Sequence, residues 1–207
     1  MAKLLDLTAD LAQLVQLAGT DEGLDDLLRR GLDWVARLAE YDLATVFELD
    51  GDELVVRAAR GPLAGEVREH RLSLARFPTI REALETRRAR AYTEDDHVHG
   101  DGDPFDDILD LPPGHACMVV PLCAGDDRFG VLTLDRSRCE TYAPATVNLV
   151  EVYAQVLALA MARHARLGAQ SSASMLDADL IQLILNKVQD AHAALVKERR
   201  LECVCVR

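Results

Sequence analysis

HACMVVPLCAGDDRFGVLTLD, residues 115–135, is the stretch on which the reading of this chain turns. Residues 115–123 and 129–135 are two apolar, β-rich runs. Between them, Ala124-Gly125-Asp126-Asp127 supplies the glycine and aspartates of a tight turn. The stretch reads as an antiparallel hairpin. It is preceded by an acidic segment, DPFDDILDLPPG (residues 103–114), that leads into the His115-x-Cys117 pair. A solvated acidic loop has no need of that pair at its exit, so the segment poses a choice between a metal site and a loop beside a buried strand.

Working outward from the hairpin, the other elements follow from periodicity. Leucines recur at helical spacing over residues 3–18. The run Gly19-Thr20-Asp21-Glu22 then ends one helix and starts another, with Thr20 or Asp21 as the expected N-cap. Leu24, Leu27, Leu28, Val35 and Leu38 give the second helix an apolar stripe. ATVFELDGDELVVRAARG is a hairpin around Asp50-Gly51-Asp52. Residues 78–86 form a short helix opened by Pro78, and residues 89–92 a short strand. After the central hairpin come a long helix over residues 144–167, again opened by a proline, and a small polar break over residues 168–174. A last helix spans residues 176–200, with Leu180, Ile184, Val188, Ala191 and Leu195 on one face. Helices at both ends of an antiparallel sheet define an α+β domain. We divide the chain into a main domain over residues 1–168 and a C-terminal helix and tail over residues 169–207.

Composition narrows the function. The chain has 207 residues, 49% of them hydrophobic, enough for a full core. Its formal charge of −12 argues against direct contact with nucleic acid or an anionic membrane. With no run of eighteen apolar residues and no basic leader, the expectation is a soluble cytoplasmic protein. The five cysteines (Cys117, Cys123, Cys139, Cys203 and Cys205) are irregularly spaced and suit a reducing compartment better than a disulfide framework. There is no nucleophile elbow, no H-E-x-x-H and no Walker A sequence, so no enzyme is expected. Cys203-Val204-Cys205 reads as a tail.

The element order and the central hairpin resemble those of GAF domains, sensory modules with a six-stranded antiparallel sheet, a pocket on one face and flanking helices that commonly pair two chains. The resemblance covers residues 4–167. DPFD, HAC, PLCAG and LTLD, in that order, are similar to the nitric-oxide-sensing GAF domain of the enhancer-binding activator of nitric oxide reduction. That likeness implies a mononuclear non-haem Fe(II) held by Asp103, Asp106, His115, Cys117 and Asp135, with nitric oxide as ligand. It also implies an AAA+ ATPase partner, whose sequence is not among these 207 residues.

Elementary geometry tests the implied ligands. His115 and Cys117 leave one strand face about 7 Å apart at Cα and can converge on one ion. A three-residue loop (residues 125–127) sets Asp135 opposite Cys117. A loop of two or four slips the register by one and turns Asp135 away. Hard oxygens, an imidazole and a thiolate together suit a divalent transition ion. Each residue also has a plainer reading. Asp103 and Asp106 sit among seven acidic residues between Glu94 and Asp107, which by composition is a solvated loop. A lone strand cysteine is usually a small core residue, and Asp135 can simply end a strand. His97 and His99 lie outside the motif and are not expected to ligate.

Two departures from the activators stand out. Thr79 follows Pro78 where they carry arginine, with Arg76 or Arg81 as nearby substitutes. Glu85 stands where they carry another arginine, with Arg87 and Arg88 close by. Two other functions compete with gas sensing: a metal-free GAF domain that binds a cyclic nucleotide or metabolite, and a purely structural dimerisation module. The surplus apolar stripes on the helices point to a homodimer.

Overall fold

In a computed structural model of the chain, the described residues are 23–93, 104–105, 108–109 and 111–169, with Gln13 and Gln16. The helices expected over residues 3–18 and 176–200 lie outside them, Gln13 and Gln16 apart. Helix α1 (Leu24–Leu38) opens the described fold. Its N-cap is Gly23, not Thr20 or Asp21, and no side chain caps it; Asp25 and Asp26 in the first turn complement the helix dipole instead. Then follow β1 (Leu43–Asp50), β2 (Glu53–Arg60), the three-residue β3 (Arg71–Ser73), helix α2 (Pro78–Thr86) and β4 (Arg90–Thr93). The central hairpin is β5 (Ala116–Ala124) and β6 (Asp127–Arg136), and the long helix α3 spans Pro144–Ala169.

The six strands form one sheet in the order β3-β2-β1-β6-β5-β4, with every neighbouring pair antiparallel. The expected α+β class, a six-stranded sheet with flanking helices, is the architecture observed. The strand period of two splits the core into two layers. On one face Ala44, Val46, Met118, Val120, Leu132 and Leu134 pack under α1 and α3. On the other, Leu43, Phe47, Val119 and Val131 meet α2 and the segment carrying Phe105 and Leu109. Pro121 is tolerated in β5 because β4 reaches only as far as Val119, so its missing N–H falls beyond that pairing. Residues Pro144–Arg166 are long and apolar enough to cross a membrane, but 67% of their most apolar window is buried. The helix is mostly buried because it packs on the sheet and against α1 beside it.

The central hairpin reaches its register by a route the loop-length argument did not contain. The turn holds two residues, Gly125 and Asp126, because Ala124 pairs with Asp127. Gly125 takes the positive φ of 59° that the first position of a II′ connection requires. A two-residue turn alone would turn Asp135 away from Cys117. A β-bulge intervenes between Leu122 and Cys123, where Cys123 pairs with Arg128 and Leu122 with Gly130. The extra residue, Phe129, restores the offset, and Cys117 pairs with Asp135. Gly130 makes this possible. Its φ is +144°, and a Cβ there would lie 1.8 Å from the Phe47 carbonyl oxygen.

Since that oxygen belongs to the backbone of a central strand, no rotamer change relieves the overlap. We expect Gly130→Ala to destabilise the fold by at least about 3 kcal/mol, read as the shift in the urea midpoint at unchanged slope. A variant within about 0.5 kcal/mol of the parent would show that the bulge is not needed.

Candidate metal centre

The strand exit before β5 aims the first candidate ligand. Pro112-Pro113-Gly114-His115 is a β-turn in which the His115 N–H donates to the Pro112 carbonyl at 3.1 Å. Proline at the second position and glycine with φ +78° at the third are the type II pattern. The His115 side chain lies 3.2 Å, through Nδ1, from the same carbonyl. His115, Cys117 and Asp135 are 1–2% exposed, and each offers one ligand atom within 4.8 Å of the others'. Cross-strand pairing accounts for Cys117 and Asp135, and the turn for His115. A thiolate and a carboxylate this close repel each other when both are ionised. A shared divalent cation removes that conflict, and the imidazole, thiolate and carboxylate donors suit Fe(II) or Zn(II).

Asp103 and Asp106 lie outside the described residues, as do His97, His99, Cys203 and Cys205. The residues between the two aspartates are placed. Phe105 is fully buried, stacks on Phe47 with ring centroids 5.8 Å apart, and tilts against His70 at 5.9 Å. The Pro104 carbonyl accepts from His70 Nε2 at 3.0 Å. Ile108 and Leu109 both donate to the Phe105 carbonyl at 2.8 Å, closing a turn. Pro104 and Phe105 are thus anchored to the face that carries Cys117 and Asp135.

Arg76 and Arg81, the nearby substitutes for the missing arginine, sit at the surface. The Arg76 guanidinium lies 5.9 Å over the Phe77 ring, and Arg81 faces Glu85 at 4.0 Å. Arg87, in the left-handed conformation at the end of α2, donates to the Gly125 carbonyl at 2.6 Å and to Asp126 at 3.3 Å, tying that helix to the β5–β6 turn.

Sequence reading missed several neighbours. Among the described residues the buried polar side chains are Thr45, His115, Thr133 and Asp135. Thr45 and Thr133 are cross-strand partners joined through their hydroxyls, one step along the sheet from Asp135. Tyr92 pairs with Cys117 from β4. Tyr142 donates to the Glu40 carbonyl at 3.0 Å under the Arg136 guanidinium. Burial pushes its phenol up, and the charge of Asp135 adds to that rise, as those of Cys117 and Asp42 do more weakly, against the opposing Arg136. Asp42 closes the far end. Its N–H donates to the Asp135 carbonyl at 2.8 Å, and its carboxylate accepts from Ser137 N–H at 2.6 Å and Ser137 Oγ at 2.7 Å. The period-two pattern could have flagged the threonines as polar residues on an apolar face. The Asp42–Ser137 clamp joins residues 95 apart and leaves no local signal.

A six-stranded antiparallel sheet, with α1 and α3 on one face and α2 beside a buried polar cluster on the other, is an α+β domain. The chain belongs to the GAF domain family, whose model matches residues 23–163, and as such it is a regulatory sensor module. The regulatory protein LuxO of Vibrio cholerae serotype O1 is 25% identical over 162 residues, 76% of this chain. The chain spans only 28% of LuxO's length. Among solved structures, the GAF domain of a phosphoenolpyruvate-protein phosphotransferase from Acinetobacter superimposes with a TM-score of 0.63 at 17% identity, covering 83% of this chain and 99% of that one. The GAF domain of a two-component sensor histidine kinase from Bacillus halodurans gives 0.58 at 18% identity, covering 72% and 99%. At these identities the likeness concerns the fold.

The Asp42 clamp generates a pH prediction. Its hydrogen bonds from Ser137 hold the carboxyl below the usual value of 3.8. The stabilisation is therefore present above the unfolded-state pKa and lost as pH falls through the lower folded-state one. We expect Asp42→Ala to melt below the parent at neutral pH, with the gap closing as pH falls below about 3 to 4. A gap that stays constant down to that range would mean that the carboxylate charge contributes nothing.

Proposed function

We propose that this GAF domain is a nitric-oxide sensor acting in the cytoplasm, with a mononuclear non-haem ferrous ion held by Asp103, Asp106, His115, Cys117 and Asp135. The observation that carries the reading is the buried His115, Cys117 and Asp135 cluster, whose ligand atoms lie within 4.8 Å of one another. The anchoring of Phe105 on the same face supports a contribution from the flanking aspartates. A ferrous ion with a thiolate ligand is electron-rich enough to bind a π-acid such as nitric oxide. The chain's own part is to bring the donors together, to keep bulk water from them and to sense their rearrangement through the sheet. The signal leaves through the flanking helices, packed between two copies of the chain, towards a transcriptional regulator bearing an AAA+ ATPase.

Anaerobic reconstitution with ferrous ion, followed by nitric oxide and electron paramagnetic resonance, tests the site. We expect about one iron per chain and a signal characteristic of a non-haem iron–nitric oxide adduct. Cys117→Ala and Asp106→Ala should each lose most of the iron, because the remaining charges are left crowded and uncompensated. His97→Ala and His99→Ala should lose little. Unaltered iron in the Cys117 variant would remove that ligand. A chain that takes up no metal but is stabilised against heat by a cyclic nucleotide would favour a metal-free pocket instead.

The output half has its own test. Leu180→Asp or Ile184→Asp should weaken a homodimer while leaving iron content intact. Sedimentation of the parent as a monomer at tens of micromolar would count against helical pairing as the means of output.

A further inference from the structure

We infer that the turn Pro112-Pro113-Gly114-His115 is a positioning element of the candidate metal centre, fixing His115 as the Nδ1–H tautomer so that Nε2 is its ligating atom. The inference rests on the metal-site reading above and deepens it by assigning the donor atom and the residues that set it. A carbonyl oxygen can only accept hydrogen bonds. Nδ1 of His115 lies 3.2 Å from the Pro112 carbonyl, so the proton between them belongs to Nδ1. A neutral imidazole then carries its lone pair on Nε2. The same oxygen accepts the His115 backbone N–H at 3.1 Å. Both lone pairs of one oxygen are thereby used, and backbone and ring of one residue are tied to a single point. The ring is 1% exposed, so bulk water does not compete for Nδ1. A ligating histidine commonly gives its second N–H to a carbonyl or carboxylate, and loss of that partner commonly costs 10–100-fold in metal affinity.

The turn is built to keep that carbonyl in place. Proline at the second position pre-sets φ, and Gly114 at the third takes φ +78°, which an L-residue with a Cβ adopts only under strain. The neighbouring Pro113 carbonyl is met by Cys139 Sγ at 3.7 Å, from the segment that follows β6. Both ends of the hairpin thus grip the turn: β5 continues from His115, and the residues after Asp135 return to Pro113.

The test has two arms. Long-range nitrogen NMR of the His115 ring, in the metal-free chain at mildly alkaline pH and after loading with diamagnetic Zn(II), should show the proton on Nδ1 in both, with the Nε2 resonance moving on loading. Cobalt(II) uptake, read from its visible bands, should weaken about 10–100-fold in Gly114→Ala. It should stay within a few-fold of the parent in Gly114→Asn, since asparagine tolerates positive φ. A proton on Nε2, or Nδ1 moving on loading, overturns the inference, as does Gly114→Ala binding cobalt like the parent. If Gly114→Ala fails to fold, the NMR arm decides alone. A parent chain with the Nδ1 proton that takes up neither zinc nor cobalt overturns the metal-site reading and the ligating role together, leaving only the tautomer.

Discussion

The contact between Gly130 and the Phe47 carbonyl governs the rest. The backbone of β6 passes so close to β1 at this point that a single methyl group would lie 1.8 Å from the carbonyl oxygen. Only glycine reaches the φ that the bulge requires without that overlap. The bulge sends Phe129 to the helix-covered layer and Val131 to the other face. From there to the strand end, every β6 side chain keeps the face it was given. Thr133 and Asp135 face Thr45 and Cys117 for this reason, and Leu132 and Leu134 join the core under α1 and α3.

That arrangement concentrates polarity. The described buried polar side chains are one cluster on one face, in a sheet otherwise lined by aliphatic and aromatic groups. Burying an acid, a thiol and an imidazole together costs free energy unless their charges are matched and their hydrogen bonds satisfied. A bound cation would do this, and the turn at Pro112 and the clamp at Asp42 hold the two strand ends that bring the donors together. His115, Cys117 and Asp135 are almost fully buried, so the cluster is held in a site screened from solvent rather than in an open groove.

Much of this was legible in the amino-acid order. Pro78–Thr86 begins and ends where its opening proline and apolar spacing place it, and both hairpins centre on their glycine-aspartate turns. The order of helices and strands was sufficient for the α+β class. The strand β3 was not read individually, because three residues carry too little periodicity to stand above their surroundings. Gly23 displaced the expected cap, since an N-cap is chosen by where the helix packs and not only by which side chain can bind its N–H groups. Thr45 and Thr133 were passed over because each is unremarkable in its own strand, and the pair exists only across strands 88 residues apart in sequence.

The candidate site divides along the same line. The sequence by itself determined the face that Cys117 takes relative to its strand neighbours, because strand side chains alternate with a period of two; His115, expected on the same strand, precedes its first residue, Ala116, and is aimed by the turn instead. Pro113 and Gly114 suit the type II turn that the structure shows there, although the turn was not read from the sequence. Whether Asp135 joins His115 and Cys117 was decided only by tertiary structure. The turn length taken alone sends Asp135 to the wrong face, and the compensating bulge depends on how β6 lies against Phe47 of β1, a strand more than eighty residues earlier in the chain. Register is a property of paired strands, and the close approach that fixes it is made by a residue that local pattern cannot see.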